Sequence, residues 1–218
     1  MNLERTTGLV LRTRPLTDTS LIVEWLTRDF GRIATAARGA RRAKSAFRGQ
    51  LDLFYLADLS FARSRRSDLH TLREVRLLEG HAGLRQELIR VRQASYCAAL
   101  IEQTAEPDAP MPAMFDSFRG LLAELSRHPA RPQSIFGFEM KWLRELGLEP
   151  NLGGTNLTPG SRRVLERLGE MDWPDIFRLR LSPAQEREMR LYLHGFIVYH
   201  LERIPRGRGG ALGADSQL

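Results

Sequence analysis

Arg32, Arg38, Arg41, Arg42, Lys44 and Arg48 fall in one stretch, GRIATAARGARRAKSAFRG between Gly31 and Gly49, and no acidic residue interrupts them. Cations without internal partners either stay solvated, at a cost in self-repulsion, or meet an external polyanion. Nucleic acid is the commonest such polyanion, because its phosphates are evenly spaced and binding releases condensed counterions. Guanidinium groups add planar two-pronged contacts to phosphate and can stack on an unpaired base. Phe47 is the one aromatic within the basic run; it is either a base-stacking platform or an anchor that tucks the loop under its scaffold, and the sequence favours neither. Arg63, Arg65 and Arg66 form a second basic cluster, at a turn whose position relative to the first loop the sequence leaves open.

Other chemistries lack their residues. No glycine-rich loop ends in Gly-Lys-Ser/Thr, and Lys44-Ser45 has no glycine before it, which argues against nucleotide hydrolysis. The five histidines (His70, His81, His128, His194, His200) never stand three or four residues apart, and Cys97 is the single cysteine, so local zinc-ligand spacings cannot be built. The carboxylates are scattered rather than clustered as a metal-dependent nuclease requires. No nucleophile sits in an elbow context. The chain is therefore expected to be no enzyme and to need no cofactor or metal. His194 and His200, within an apolar helix, are read as core residues, and Cys97 as a small buried apolar one.

The 218 residues suffice for one large domain or two small ones. The net charge is +7, and residues 1–80 carry 15 Lys and Arg against 9 Asp and Glu, so nearly all of the excess lies in the N-terminal third. Only Lys44 and Lys141 are lysines. Such a skew can reflect coding bias, so the placement of the arginines is the evidence and their abundance is not. A lone cysteine fits a reducing compartment, no apolar run approaches the ~18 residues of a membrane span, and the N-terminus does not read as a secretory signal. A cytoplasmic protein without membrane contact is expected.

The elements that must position these cations come first in the chain. Gly8–Arg14 and Leu21–Leu26 read as strands, Asp29-Phe30-Gly31 as a turn in which Gly31 takes positive φ, and Arg32–Ala37 as the returning strand. From Leu51 to Phe61 the apolar residues fall on odd positions, predicting a strand whose alternation is broken by Phe54 and Leu56. Leu69–Leu78 is the fifth. Five short strands predict a small closed or semi-closed barrel, with Trp25 in its core.

After Gly80 the period changes to helical. Leu84, Leu88, Val91, Ala94, Ala98 and Ile101 form one stripe, Phe115–Leu125 a second helix, and Ile135–Leu146 a third that Gly147 should stop in the left-handed conformation. Thr158-Pro159 opens a fourth helix, and Ser182-Pro183-Ala184-Gln185 reads as a capping box. The apolar run Leu191–Leu201 predicts a last helix buried on most sides. The glycine-rich residues 205–218 are expected to be disordered. The expected organisation is α+β: a barrel over 1–80, an all-α domain over 81–204 without a zinc site, and a disordered tail over 205–218.

The segment GLVLRTRPLTDTSLIVEWLTRDFGRIATAARGARRAKSAFRGQLDLF resembles the opening of the RecO family. It carries a Gly-Leu-Val-Leu strand, Asp18-Thr19-Ser20, Phe30-Gly31-Arg32, and Ala37 through Arg42 with Lys44-Ser45 and Phe47. Leu69–Glu79, Leu84–Ala99 and Leu146-Gly147-Leu148-Glu149-Pro150 resemble the family too, more weakly beyond Leu152. The resemblance implies an OB-fold followed by a helical domain, and a non-enzymatic mediator of recombinational DNA repair. Such proteins bind single- and double-stranded DNA, anneal complementary strands, contact RecR and single-strand-binding protein, and help RecA load onto coated strands. One departure is plain. Many relatives carry a four-cysteine zinc site soon after the Gly-Leu-x-Pro segment, whereas here Asn151-Leu152-Gly153-Gly154-Thr155-Asn156 follows and no cysteine does. An RNA- or ribosome-associated OB-fold module remains the alternative, since the charge pattern separates DNA from RNA no better than it separates their phosphates.

Overall fold

The structure, a computed structural model, describes residues 3–213. It divides into two compact units: residues up to His81 together with Ile101–Arg119, and Ala82–Leu100 together with residues from Gly120 onward.

The first unit is built on five strands, β1 (Leu3–Pro15), β2 (Leu21–Thr27), β3 (Gly31–Ala37), β4 (Leu56–Ala62) and β5 (Leu69–Glu79). They close a barrel in the order β1-β2-β3-β5-β4, the order of an OB-fold, in which β3 and β5 pair in parallel (Ala34↔Leu69 to Ala36↔Thr71) and the other neighbours antiparallel. Strand β1 serves both neighbours: its first half pairs with β4, its second with β2, and the two registers overlap at Gly8-Leu9. A Cβ on Gly8 would stand 3.0 Å from Leu59 Cδ2 and 3.2 Å from Trp25 Cε3, so glycine lets the strand bend over the packed interior. Val10, Val23, Trp25, Ile33, Leu59, Phe61 and Leu72 fill that interior. Trp25 is fully buried as expected, and its indole N–H donates to Thr35 Oγ1 at 2.8 Å.

Strand β4 starts five residues later than the alternation from Leu51 predicts. Phe54 sits at φ +65, its N–H donates to the Val10 carbonyl and the Tyr55 carbonyl accepts from the Val10 N–H. The left-handed residue turns the chain into the sheet, and Phe54 and Leu56, which break the alternation, are both buried.

Gly31 closes the β2–β3 hairpin at φ +63, as its position predicts. It has a second role: a Cβ here would lie 1.8 Å from the Ala109 carbonyl oxygen. Gly31→Ala is therefore expected to cost about 2–4 kcal/mol, from left-handed strain plus a backbone collision that no rotamer relieves. A lowered urea midpoint with unchanged slope checks it.

The helices are α1 (Leu88–Thr104), α2 (Pro112–Arg127), α3 (Pro132–Glu145), α4 (Pro159–Leu168), α5 (Trp173–Arg178), α6 (Pro183–Leu201) and α7 (Arg208–Ala211). Four begin on proline, which fits the first helical position because its missing N–H is not needed there. Thr158 caps α4, and Ser182 with Gln185 forms the reciprocal capping box of α6. Gly147 ends α3 at φ +70. Cys97 is wholly buried, and burial pushes its thiol pKa well up. Trp173 lies against the bare backbone of Gly120, where a Cβ would stand 2.6 Å from its ring, and Lys141 Nζ is 5.6 Å from that ring's centre. In the stretch that follows α3 and Pro150, Leu152 and Leu157 are buried and Thr155 Oγ1 donates to the Leu152 carbonyl. Ordinary packing holds it.

Three expectations need correction. Leu84 belongs to a 3-10 turn and Leu88 is exposed, so the buried apolar residues of α1 begin only at Ala94, after buried Arg90 and Gln93. Helix α6 buries Met189, Leu193 and Ile197, one stripe at four-residue spacing, while Leu191 and Tyr199 are exposed. His194 and His200 are likewise exposed, and His200 packs tilted at 39° against the Phe196 ring, 4.3 Å between centroids, rather than entering the core. The run is apolar by composition, but a helix presents only one stripe to a single packing partner.

The third correction concerns the tail. From Pro205 to Gly213 it packs: α7 places Arg208 in the interior of the second unit, where its Nε and Nη2 bind Glu139 Oε1 and Oε2 at 2.7 and 2.9 Å. Glycine-rich composition predicts no core of its own, but a buried carboxylate on α3 supplies the missing partner. Residues 214–218, also expected to be disordered, lie outside the described residues.

Candidate nucleic-acid interface

The barrel register brings three connections to one rim. Pro15 pairs with Leu21, Leu21 with Ala37, Ala36 with Thr71, and Thr71 with Ala62. The loops that follow β1 (residues 16–20), β3 (residues 38–55) and β4 (residues 63–68) therefore all leave from the same end. The basic run and the second arginine cluster sit on two of them.

The long basic loop is a chain of tight turns. Ala40, Arg42, Ser45, Arg48 and Gln50 each donate their backbone N–H to the carbonyl three residues earlier, and Gln50 Nε2 reaches the Ala46 carbonyl at 2.8 Å. Bonds to the first loop fasten it: the Arg41 N–H donates to the Thr19 carbonyl at 3.0 Å, Arg41 Nη1 to the Thr17 carbonyl at 3.3 Å, and the Gly39 N–H to Ser20 Oγ. Phe47 is half-buried against the barrel core, which fits its anchor reading; its packing holds the cations around it outward. Nothing in the sequence marks Thr17–Ser20 as the partner of the basic run, yet its carbonyls and the Ser20 hydroxyl are the fastening points for the loop.

Arg38 shares a cleft of about 620 Å³ with Arg63, Arg65 and Arg66, lined further by Ser64, Ser67 and Thr71. Arg38, 25 residues before Arg63 in sequence, thus joins the second cluster around one concavity. Arg38, Arg41, Arg42, Lys44, Arg48, Arg65 and Arg66 are all exposed, and among the described residues none of them has a carboxylate within ion-pair distance. Arg32 and Arg63 differ. Arg32 lies 3.9 Å from Glu24 and donates Nε to the Ala105 carbonyl, and Arg63 binds Asp108 at 2.9 Å while covering the Phe30 ring. Of the ten candidate residues, seven cations remain available to an outside polyanion, one aromatic is an anchor, and two arginines are held internally.

Among the described residues no group of three or more His, Cys, Asp or Glu could hold a metal ion, and no helix is long and apolar enough to cross a membrane.

Residues 1–81 match the family described as recombination protein O N terminal, and residues 85–153 match recombination protein O C terminal. The chain is similar to the DNA repair protein RecO of Anaeromyxobacter sp. (strain Fw109-5), 34% identical over 146 residues, which is 67% of this chain and 57% of that protein. It is 30% identical over 152 residues to the DNA repair protein RecO of Exiguobacterium sibiricum, covering 70% of this chain and 60% of that one. With the DNA repair protein RecO of Bacillus subtilis (strain 168) it shares 32% over 145 residues, 66% of this chain and 56% of the other. The chain thus spans somewhat less than two thirds of the length of the curated relatives it matches.

Proposed function

The chain belongs to the RecO family, and from that premise we propose that it is a non-enzymatic mediator of recombinational DNA repair whose barrel rim receives the DNA backbone. Arg38, Arg41, Arg42, Lys44 and Arg48 are the primary phosphate contacts, and Arg65 and Arg66 extend them across the cleft. The observation that carries this reading is the seven exposed cations on one rim without a carboxylate partner. Cations already neutralised would gain little from phosphate; these gain the full counterion-release term. Single- and double-stranded DNA are the proposed ligands, bound through the same backbone contacts. Annealing follows physically: a surface that neutralises two strands lowers the repulsion between them. RecR, single-strand-binding protein and, indirectly, RecA are the proposed protein partners, and the cytoplasm the proposed compartment.

The five primary contacts to a single strand predict a contribution of about 3–4 to the slope at which log affinity falls with log salt, at roughly 0.7 per contact, and Arg65 and Arg66 add about 1.4. Fluorescence polarisation of a labelled oligonucleotide across a salt series measures it, and a flat response removes the assignment. Annealing of complementary DNA coated with single-strand-binding protein then separates this function from that of an RNA-associated OB-fold module, which should fail the assay.

A further inference from the structure

The barrel carries a second set of arginines, and each of these meets an acid or a carbonyl. Arg12 on β1 grips Glu102 through two bonds, Nε to Oε1 at 3.1 Å and Nη2 to Oε2 at 2.5 Å. Arg14 meets Glu24 at 3.3 Å, and Arg63 meets Asp108 at 2.9 Å. Asp108 Oδ1 also lies 3.7 Å from Nε2 of His70, whose Nδ1 accepts the Ser64 N–H of the loop that carries Arg65 and Arg66.

Two of these acids come from one short segment, Glu102-Gln103-Thr104-Ala105-Glu106-Pro107-Asp108. It is fixed to β3 by backbone: Pro107 bridges Arg32 in parallel, the Asp108 N–H donates to the Arg32 carbonyl at 3.0 Å, and the Arg32 Nε binds the Ala105 carbonyl. The Ala109 carbonyl rests where Gly31 lacks a side chain. The segment therefore does not need its ion pairs to stay in place. Their charge has another effect. The Arg12 side chain is 58% exposed, within reach of solvent and of any polyanion, yet its fork is filled.

We infer that residues 102–108 are a built-in competitor for phosphate: Glu102 and Asp108 withhold Arg12 and Arg63 from nucleic acid and confine a bound strand to the loop rim. The inference rests on the DNA-binding reading above. A two-pronged carboxylate is the same chemical partner for a guanidinium as a phosphate diester, held at far higher effective concentration. The chain thereby sorts its barrel arginines into an offered set and a withheld set.

The test is a mutant cycle on the full chain with labelled single-stranded DNA. E102Q is expected to tighten binding about five-fold at 0.1 M salt and to steepen the salt slope by about 0.7, the value of one added contact. R12A alone should leave affinity within two-fold, and R12A with E102Q should erase the gain. E106Q removes an exposed carboxylate of the same segment, and its smaller effect measures the gain from charge alone. A gain in E102Q that matches E106Q, or that survives R12A, overturns the inference. A wild-type measurement stands beside the cycle: phenylglyoxal modification of Arg12, read by mass spectrometry, should be unaffected by DNA, whereas that of Arg42 should be suppressed. Protection of Arg12 by DNA in the wild-type chain also overturns it. Wild-type protein that binds no DNA at all defeats the parent reading; binding without the Arg12–Glu102 coupling defeats only this one.

Discussion

Arg208→Ala is expected to destabilise the protein by about 3–5 kcal/mol, the cost of leaving a buried carboxylate without its cation. Glu139 has no exposed surface and Arg208 has 6%. The pair makes two parallel bonds, the Tyr96 hydroxyl donates to Glu139 Oε1 at 2.6 Å, and Arg208 Nη1 donates to the Arg190 carbonyl. Burial by itself pulls the Arg208 pKa down, but the Glu139 carboxylate beside it carries the net value above the ordinary one. Burial and the same carboxylate push the Tyr96 phenol well up, so it stays a donor. Removing the guanidinium strands the carboxylate; replacing both partners, as in Glu139→Met with Arg208→Leu, should recover most of the loss because an apolar pair carries no desolvation penalty. Urea denaturation of the three proteins checks this. Equal stability of Arg208→Ala and wild type would show that the tail does not close the helical unit. Ending the chain at residue 204 should behave like Arg208→Ala or worse, since Ala211 and Leu212 leave the core as well.

Changing Arg38, Arg41, Arg42, Lys44 and Arg48 together to Ala is expected to weaken single-stranded DNA binding on the order of a thousand-fold at 0.1 M salt and to flatten the salt slope to that of Arg65 and Arg66, about 1.4. Stability should change little. All five side chains are exposed, and among the described residues they bond only through Arg41 to the Thr17 carbonyl and Arg48 to the Ala43 carbonyl, at 3.3 and 3.4 Å. Polarisation titration with circular dichroism as the folding control reads both. A loss under ten-fold with the fold intact would place the DNA elsewhere on the molecule.

What the sequence made legible was local. Positive φ at Gly31, the capping box at Ser182 and Gln185, the left-handed stop at Gly147 and the burial of Trp25 each follow from chemistry within a few residues. The basic run needed no structure either, because missing acids are visible in the text of the chain. What escaped depended on distant partners. The β3–β5 parallel contact joins residues about 35 apart, so no turn signal announces it. Arg208 looked like one more arginine in a glycine-rich tail until Glu139, 69 residues earlier, faced it. Arg32 and Arg63 looked as free as Arg38; the Ala105 carbonyl that holds the one and the Asp108 carboxylate that holds the other both lie beyond Ile101 in the chain. Phe54 is the intermediate case, where the broken alternation was seen but the left-handed residue at the strand start was not.

The row of successive turns between Ala37 and Gln50 has a consequence for how a ligand is met. A floppy arm of the same composition would have to give up its freedom at the moment of capture, which weakens affinity and slows commitment. Here that freedom is surrendered when the barrel forms, so the guanidiniums wait at set intervals and an arriving strand finds a template rather than a tether. On the proposed reading the protein, not the ligand, would then set the path of a bound backbone.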